Sequence, residues 1–201
     1  MKPVWLMVAS GVLATVAFAQ NTSGPFGLRK GMTQQQVIEI VGKSAVKETK
    51  GDDTLRVLTV PKPHPAFEFY SLIFSPTEGL LKITAYGNDI RTNGFGEKVH
   101  DSFSEIRGAL SDTYEKPDGD MDFLQSGSIW KEPEDWMMGL LKEERHLASI
   151  WQNRPLPNHI HDIEIEAKAL SQEKGYIILT YEFDGWDAYV DAKKKQAGTV
   201  F

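Results

Sequence analysis

Apolar residues recur at helical spacing in one short stretch near the amino end and at strand spacing through most of the remaining chain. Val37, Ile38, Ile40 and Val41 share one face of a helix. Thr33 predicts its N-cap, Gln36 at the third helical position completes a capping box, and Met32 pairs with Val37 as a hydrophobic staple. Gly42 stands where a left-handed terminating residue is wanted. Strands come next. Residues 55–60 are β-branched and apolar up to Pro61, and the Lys62-Pro63-His64-Pro65 run cannot continue a ladder. Residues 67–74 alternate aromatic with smaller or polar side chains, Ser75 to Gly79 closes a hairpin, and 80–86 returns.

The second half repeats this grammar. Phe26-Gly27, Arg29, Thr33, Gln36, Val37 and Val41 reappear as Phe95-Gly96, Lys98, Ser102, Glu105, Ile106 and Leu110. Ser102 and Glu105 form another capping box, predicting a helix over 102–115 with Phe103, Ile106 and Leu110 on its apolar face. A third helix over 133–144 opens on Pro133, Glu134 and Asp135, where the helix dipole favours acids. Residues 147–151 read as a strand. In 163–167 apolar side chains alternate with Glu164 and Glu166 on a wet face that also takes Asp162. The last strong strand is 176–183, and 186–196 suits a short helix with a basic end.

The first residues carry an address instead of a fold. Lys2, the uncharged apolar run from Val4 to Val16, and Ala17-Phe18-Ala19 predict a signal peptide over 1–19, cleaved after Ala19. Residues 20–25 form a polar lead-in, and 26–201 a single α+β domain with a candidate internal repeat, 26–90 and 95–184. No later run is apolar enough to cross a membrane. The expected location is therefore periplasmic or secreted.

Composition narrows the chemistry. Among 201 residues, 28 acids against 22 bases give a net charge of −6, which argues against nucleic acid as the main partner. The absence of cysteine excludes disulfides, thiolate metal sites, a thiol nucleophile and an amino-terminal lipid anchor. No Gly-x-Ser-x-Gly and no phosphate loop is present. His159 and His161 project to one strand face without an obvious third metal ligand, and His146 suits a helix end. Asp118 to Asp122 resembles the start of a calcium loop, but the twelfth position is Ile129 instead of a bidentate glutamate. No catalytic residue, cofactor or metal ligand is therefore assigned, and Lys193-Lys194-Lys195 reads as a solvated terminal run. Large rings are plentiful. Trp130, Trp136, Trp151, Tyr181 and Trp186 are the candidates for a partner or ligand surface, with the core as the alternative place for each.

Phe26 to Gly42 resembles the opening motif of the SmpA/OmlA family, through Gly31, Met32, Thr33, Val37, Val41 and Gly42. That family shares a fold with the β-lactamase inhibitor proteins. The resemblance implies modules of two short helices packed on an antiparallel sheet, tandem copies of which form a sheet that holds a partner. The second match, from Phe95, lacks Gly-Met-Thr. The fold expected is α+β, an antiparallel meander with two or three short helices on one face. The function expected is protein binding without catalysis, with an envelope protein or a secreted enzyme as partner. Binding of a small apolar or aromatic ligand is the second reading, and hydrolysis by scattered His and carboxylates the third.

Overall fold

A computed structural model of the chain describes residues 24–50 and 53–198, so the predicted signal peptide 1–19 and the start of the lead-in lie outside the described residues. The fold is α+β. Nine antiparallel strands form one sheet: β1 (Val46–Lys50), β2 (Thr54–Val57), β3 (Phe67–Ser75), β4 (Gly79–Gly87), β5 (Ile90–Arg91), β6 (Gly119–Leu124), β7 (Arg145–Trp151), β8 (Ile160–Ser171) and β9 (Lys174–Phe183). Among the described residues four α-helices accompany it: α1 (Gln34–Val41), α2 (Glu97–Tyr114), α3 (Trp136–Leu141) and α4 (Trp186–Gly198).

The strand order is β1-β2-β3-β4-β9-β8-β7-β6, with β5 pairing β9 beyond the end of β4. Two four-stranded meanders thus meet through their last strands, and a helix precedes each. At the seam Ile83 pairs with Tyr181 and Ala85 with Leu179.

Alternation assigns the two faces. Leu72, Ile83, Tyr181, Ile163 and Trp151 fall on one transverse row and are all buried. The helices α2 and α3 cover this side. A Cβ on Gly175 would meet side chains of both Val99 from α2 and Met137 from α3. Burying each such Leu or Ile contributes about 1.5–3 kcal/mol.

The capping box of α1 is present as predicted: Gln36 N–H donates to Thr33 Oγ1 at 3.2 Å, and Thr33 N–H donates to Gln36 Oε1 at 2.9 Å. The second helix starts earlier than its sequence suggested. Ser102 and Glu105 lie inside α2, which begins at Glu97 because the Asn93–Gly96 turn supplies its start. Asn93 Oδ1 accepts from Glu97 N–H, Thr92 Oγ1 accepts from Lys98 N–H, and Gly96 has φ +71°. The third helix is shorter, Trp136–Leu141 after a 3₁₀ turn at Pro133–Asp135, since Glu143 takes φ +58° and starts the run into β7. The first predicted strand ends at Val57, and the edge strands β1 and β6 are additions.

Three side chains lock the far edge. The guanidinium of Arg107 on α2 donates to both carboxylate oxygens of Asp120 on β6, at 3.0 and 2.7 Å, and its Nε donates to Ser149 Oγ on β7 at 3.0 Å. Ser149 in turn donates to Asp120, whose carboxyl the guanidinium holds below its ordinary value. The segment that resembled the start of a calcium loop is therefore an edge strand, and Asp120 serves to fasten a helix.

Candidate functional site

Among the described residues, the second face of the sheet has no helix layer of its own, α4 crossing only one end of it. Its in-phase positions are Phe69 and Ser71 on β3, Lys82, Thr84 and Tyr86 on β4, Ile178, Thr180 and Glu182 on β9, and Asp162, Glu164 and Glu166 on β8. Most of these side chains are half-buried by one another. Apolar and charged groups are segregated along the rows. Phe69 and Tyr86 stack with centroids 4.6 Å apart, and Arg56 and Lys47 lie over Phe69 at 5.2 and 5.3 Å. Phe69 to Tyr86 to Ile178 then runs as one row toward Glu166. At the far edge Phe123 is 47% exposed and stacks on His146.

Four carboxylates converge on the middle of this face: Asp162, Glu164, Glu166 and Glu182. Lys82 Nζ donates to Glu182 at 2.8 Å, and Lys168 pairs with Glu166. Glu164 sits between these pairs, directly opposite Thr180. Burial, reinforced by the charge of Glu166, pushes its carboxyl above the ordinary value. Burial also raises Asp162, against the lowering effect of His161. A partly desolvated carboxylate between two ion pairs retains capacity to accept hydrogen bonds from a cation.

One end of the face is crossed by α4. Lys82 Nζ lies 4.7 Å from the Trp186 ring centroid, Tyr189 Oη donates to Asp53 at 2.9 Å, and Lys193 pairs with Asp53 at 2.7 Å. No residue of α4 is buried.

The five rings predicted from sequence are dispersed. Trp151 is fully buried, with its indole N–H donating to Glu115 O at 2.8 Å. Trp136 is buried beneath His100 and against Gly96, and Tyr181 is buried at the seam. Trp130 is half-buried beside Gly139 of α3. Trp186 alone of the five lies over the uncovered face. The candidates chosen from sequence omit Phe69, Tyr86, Ile178 and Phe123, although the in-phase alternation of 67–74 and 176–183 is a signal that reaches Phe69 and Ile178.

His159 and His161 line a wide cleft of about 1130 Å³ with Arg29, Lys30 and Arg154. Several of its charges are engaged. Arg154 donates to Tyr114 O and Lys116 O, Lys30 pairs with Glu78, His159 with Asp184 and His161 with Asp187. His64 lies at a different cavity. Among the described residues no three His, Asp or Glu side chains gather as metal ligands, and no helix is long and apolar enough to cross a membrane.

No family model, no curated protein and no solved structure matches this chain.

Proposed function

We propose that this chain is an exported, non-catalytic binding protein that holds a protein partner on the uncovered face of its sheet. The partner sets a basic side chain against Glu164 and apolar side chains against Tyr86 and Ile178. The observation that carries this reading is the face itself: one side of a nine-stranded sheet that the described helices leave open except at one end, with stacked rings in one row and an elevated carboxylate at its middle. Such a mixture of aromatic anchors and a few partly desolvated charges suits recognition of another protein. The resemblance of residues 26–42 to the SmpA/OmlA opening and the expected leader peptide favour an envelope protein or a secreted enzyme as the partner.

Photo-crosslinking residues placed singly at Thr84 and Tyr176, on the uncovered face, and at Ser104 and Asp112, on the outer surface of α2, test the reading in the producing cell. The expected result is one adduct of constant mass from the first two positions and none from the second two. Adducts only from α2 positions overturn it.

A further inference from the structure

On the opposite side of the sheet a second site lies between α2 and β9. The first described residues close it from above. Phe26 takes φ +55°, a left-handed conformation rare for an aromatic residue, and sets its ring edge-on to Phe67, Tyr70 and Tyr181 at 4.9–5.8 Å. This leaves a cavity of about 300 Å³ lined by Phe26, Phe67, Leu110, Tyr114, Tyr181 and, at its rim, His64. That volume is at the small end of ligand pockets, which are characteristically apolar with a few placed polar groups.

The polar groups here have a defined sense. The Tyr114 and Tyr181 rings meet edge-on at 6.3 Å, and burial raises both phenols above the ordinary value, so both keep their protons. A protonated Tyr114 hydroxyl has a proton to give to a ligand in the cavity. At the rim, His64 Nδ1 accepts from Ala66 N–H at 3.2 Å, which leaves the ring proton on Nε2. Two donors and an aromatic wall thus surround one largely apolar space, with Glu105 and Thr113 also on its lining.

We infer that this cavity binds a small, planar, uncharged aromatic molecule carrying a hydrogen-bond acceptor, such as an aryl ketone or a quinone. The rings of Phe26 and Phe67 supply edge and face contacts, and the Tyr114 hydroxyl donates to the acceptor oxygen. The site is independent of the partner-binding face, since the sheet lies between them.

Prodan, a planar naphthyl ketone whose emission shifts to the blue on leaving water, serves as probe. The intact chain is expected to bind it saturably with a blue shift. Ala109 lines the cavity on the exposed side of α2, so Ala109→Trp closes the mouth without crowding the core. It should abolish the saturable shift while the melting transition is retained. Tyr114→Phe should weaken binding about fivefold to tenfold, the effect of losing one neutral hydrogen bond. Glu164→Lys should leave prodan binding unchanged, which separates this site from the partner surface. Absence of a saturable shift in the intact chain, or equal binding by Ala109→Trp, overturns the assignment of the cavity. Equal binding by Tyr114→Phe overturns the role of its hydroxyl.

Discussion

Lys82 is held between a carboxylate and a ring: its ammonium is 2.8 Å from Glu182 and lies over Trp186 at 4.7 Å. The second contact crosses from the sheet to α4, which Tyr189 and Lys193 also tie to Asp53 and Asp187 to His161. An exposed cation–π contact contributes about 0.5–1 kcal/mol, and exposed ion pairs add little, so α4 is lightly fastened. Trp186→Ala should therefore raise amide exchange along Trp186–Gly198 while leaving β4 and β9 protected. Hydrogen-exchange mass spectrometry reads this, and unchanged exchange in α4 would show that the indole does not hold it.

Arg107, Asp120 and Ser149 make a different kind of fastening, because Ser149 is only 1% exposed. Ser149→Ala should cost about 1 kcal/mol by urea melting, the net contribution of a buried hydrogen bond. Asp120 is held below its ordinary 3.8, so the unfolded chain takes up this proton first. Its contribution is present above pH 3.8 and disappears as pH falls through the folded value. Asp120→Asn should flatten that acid limb of the stability profile.

His100 lies against Trp136 with ring centroids 4.1 Å apart, and burial depresses it below its ordinary 6.5. Asp122 and Asp101 work against that shift, and Arg145 works with it. Since the unfolded chain protonates first, stability should decline as pH drops below 6.5 and level off below the folded value. Chemical denaturation at steps between pH 8 and 5 tests this, with His100→Gln expected to lose that part of the slope.

Gly96 has φ +71° and faces the Trp136 ring so closely that a Cβ has no room. Gly96→Ala should destabilise the fold by at least about 2 kcal/mol, combining left-handed strain with displacement of a buried indole. A loss below about 0.5 kcal/mol would mean that the α2–α3 contact yields easily.

Much of this fold was legible because the buried face imposes a period of two. Residues 67–74, 163–167 and 176–183 show it, and α1 is fully punctuated by Thr33, Gln36 and Gly42. The edges were not legible. Val46–Lys50 carries a single apolar residue and no residue of Gly119–Leu124 is buried, so neither announces a core face, and Asp120 looks like a metal ligand until Arg107 is placed beside it. A capping box can also occur inside a helix: Ser102 and Glu105 fit the pattern, but the Asn93–Gly96 turn governs the start. The candidate site was legible in part. Asp162, Glu164 and Glu166 were readable as a wet face, whereas the ring candidates were chosen by size without phase. Trp151 is in step with Leu147, and Tyr181 with Leu179 and Phe183, which is why both lie inside.

Glu164 carries the sharpest consequence. Its raised carboxyl means that the folded state binds its proton more tightly than the unfolded chain does, so stability falls as pH rises from 4.5 through the folded value. Glu164→Gln should then stabilise the isolated protein at pH 7 while weakening its hold on the partner. Stability gained and binding lost by one substitution is the pattern of a residue kept for contact.

The decisive measurement is the affinity of the crosslinked partner, once purified, for the chain and for Glu164→Lys, by calorimetry at two salt concentrations. Docking on the uncovered face predicts at least about a tenfold loss in Glu164→Lys with a shallower salt dependence, and no change in Asp112→Lys on the helix side. Equal affinity of Glu164→Lys and the unaltered chain would contradict it.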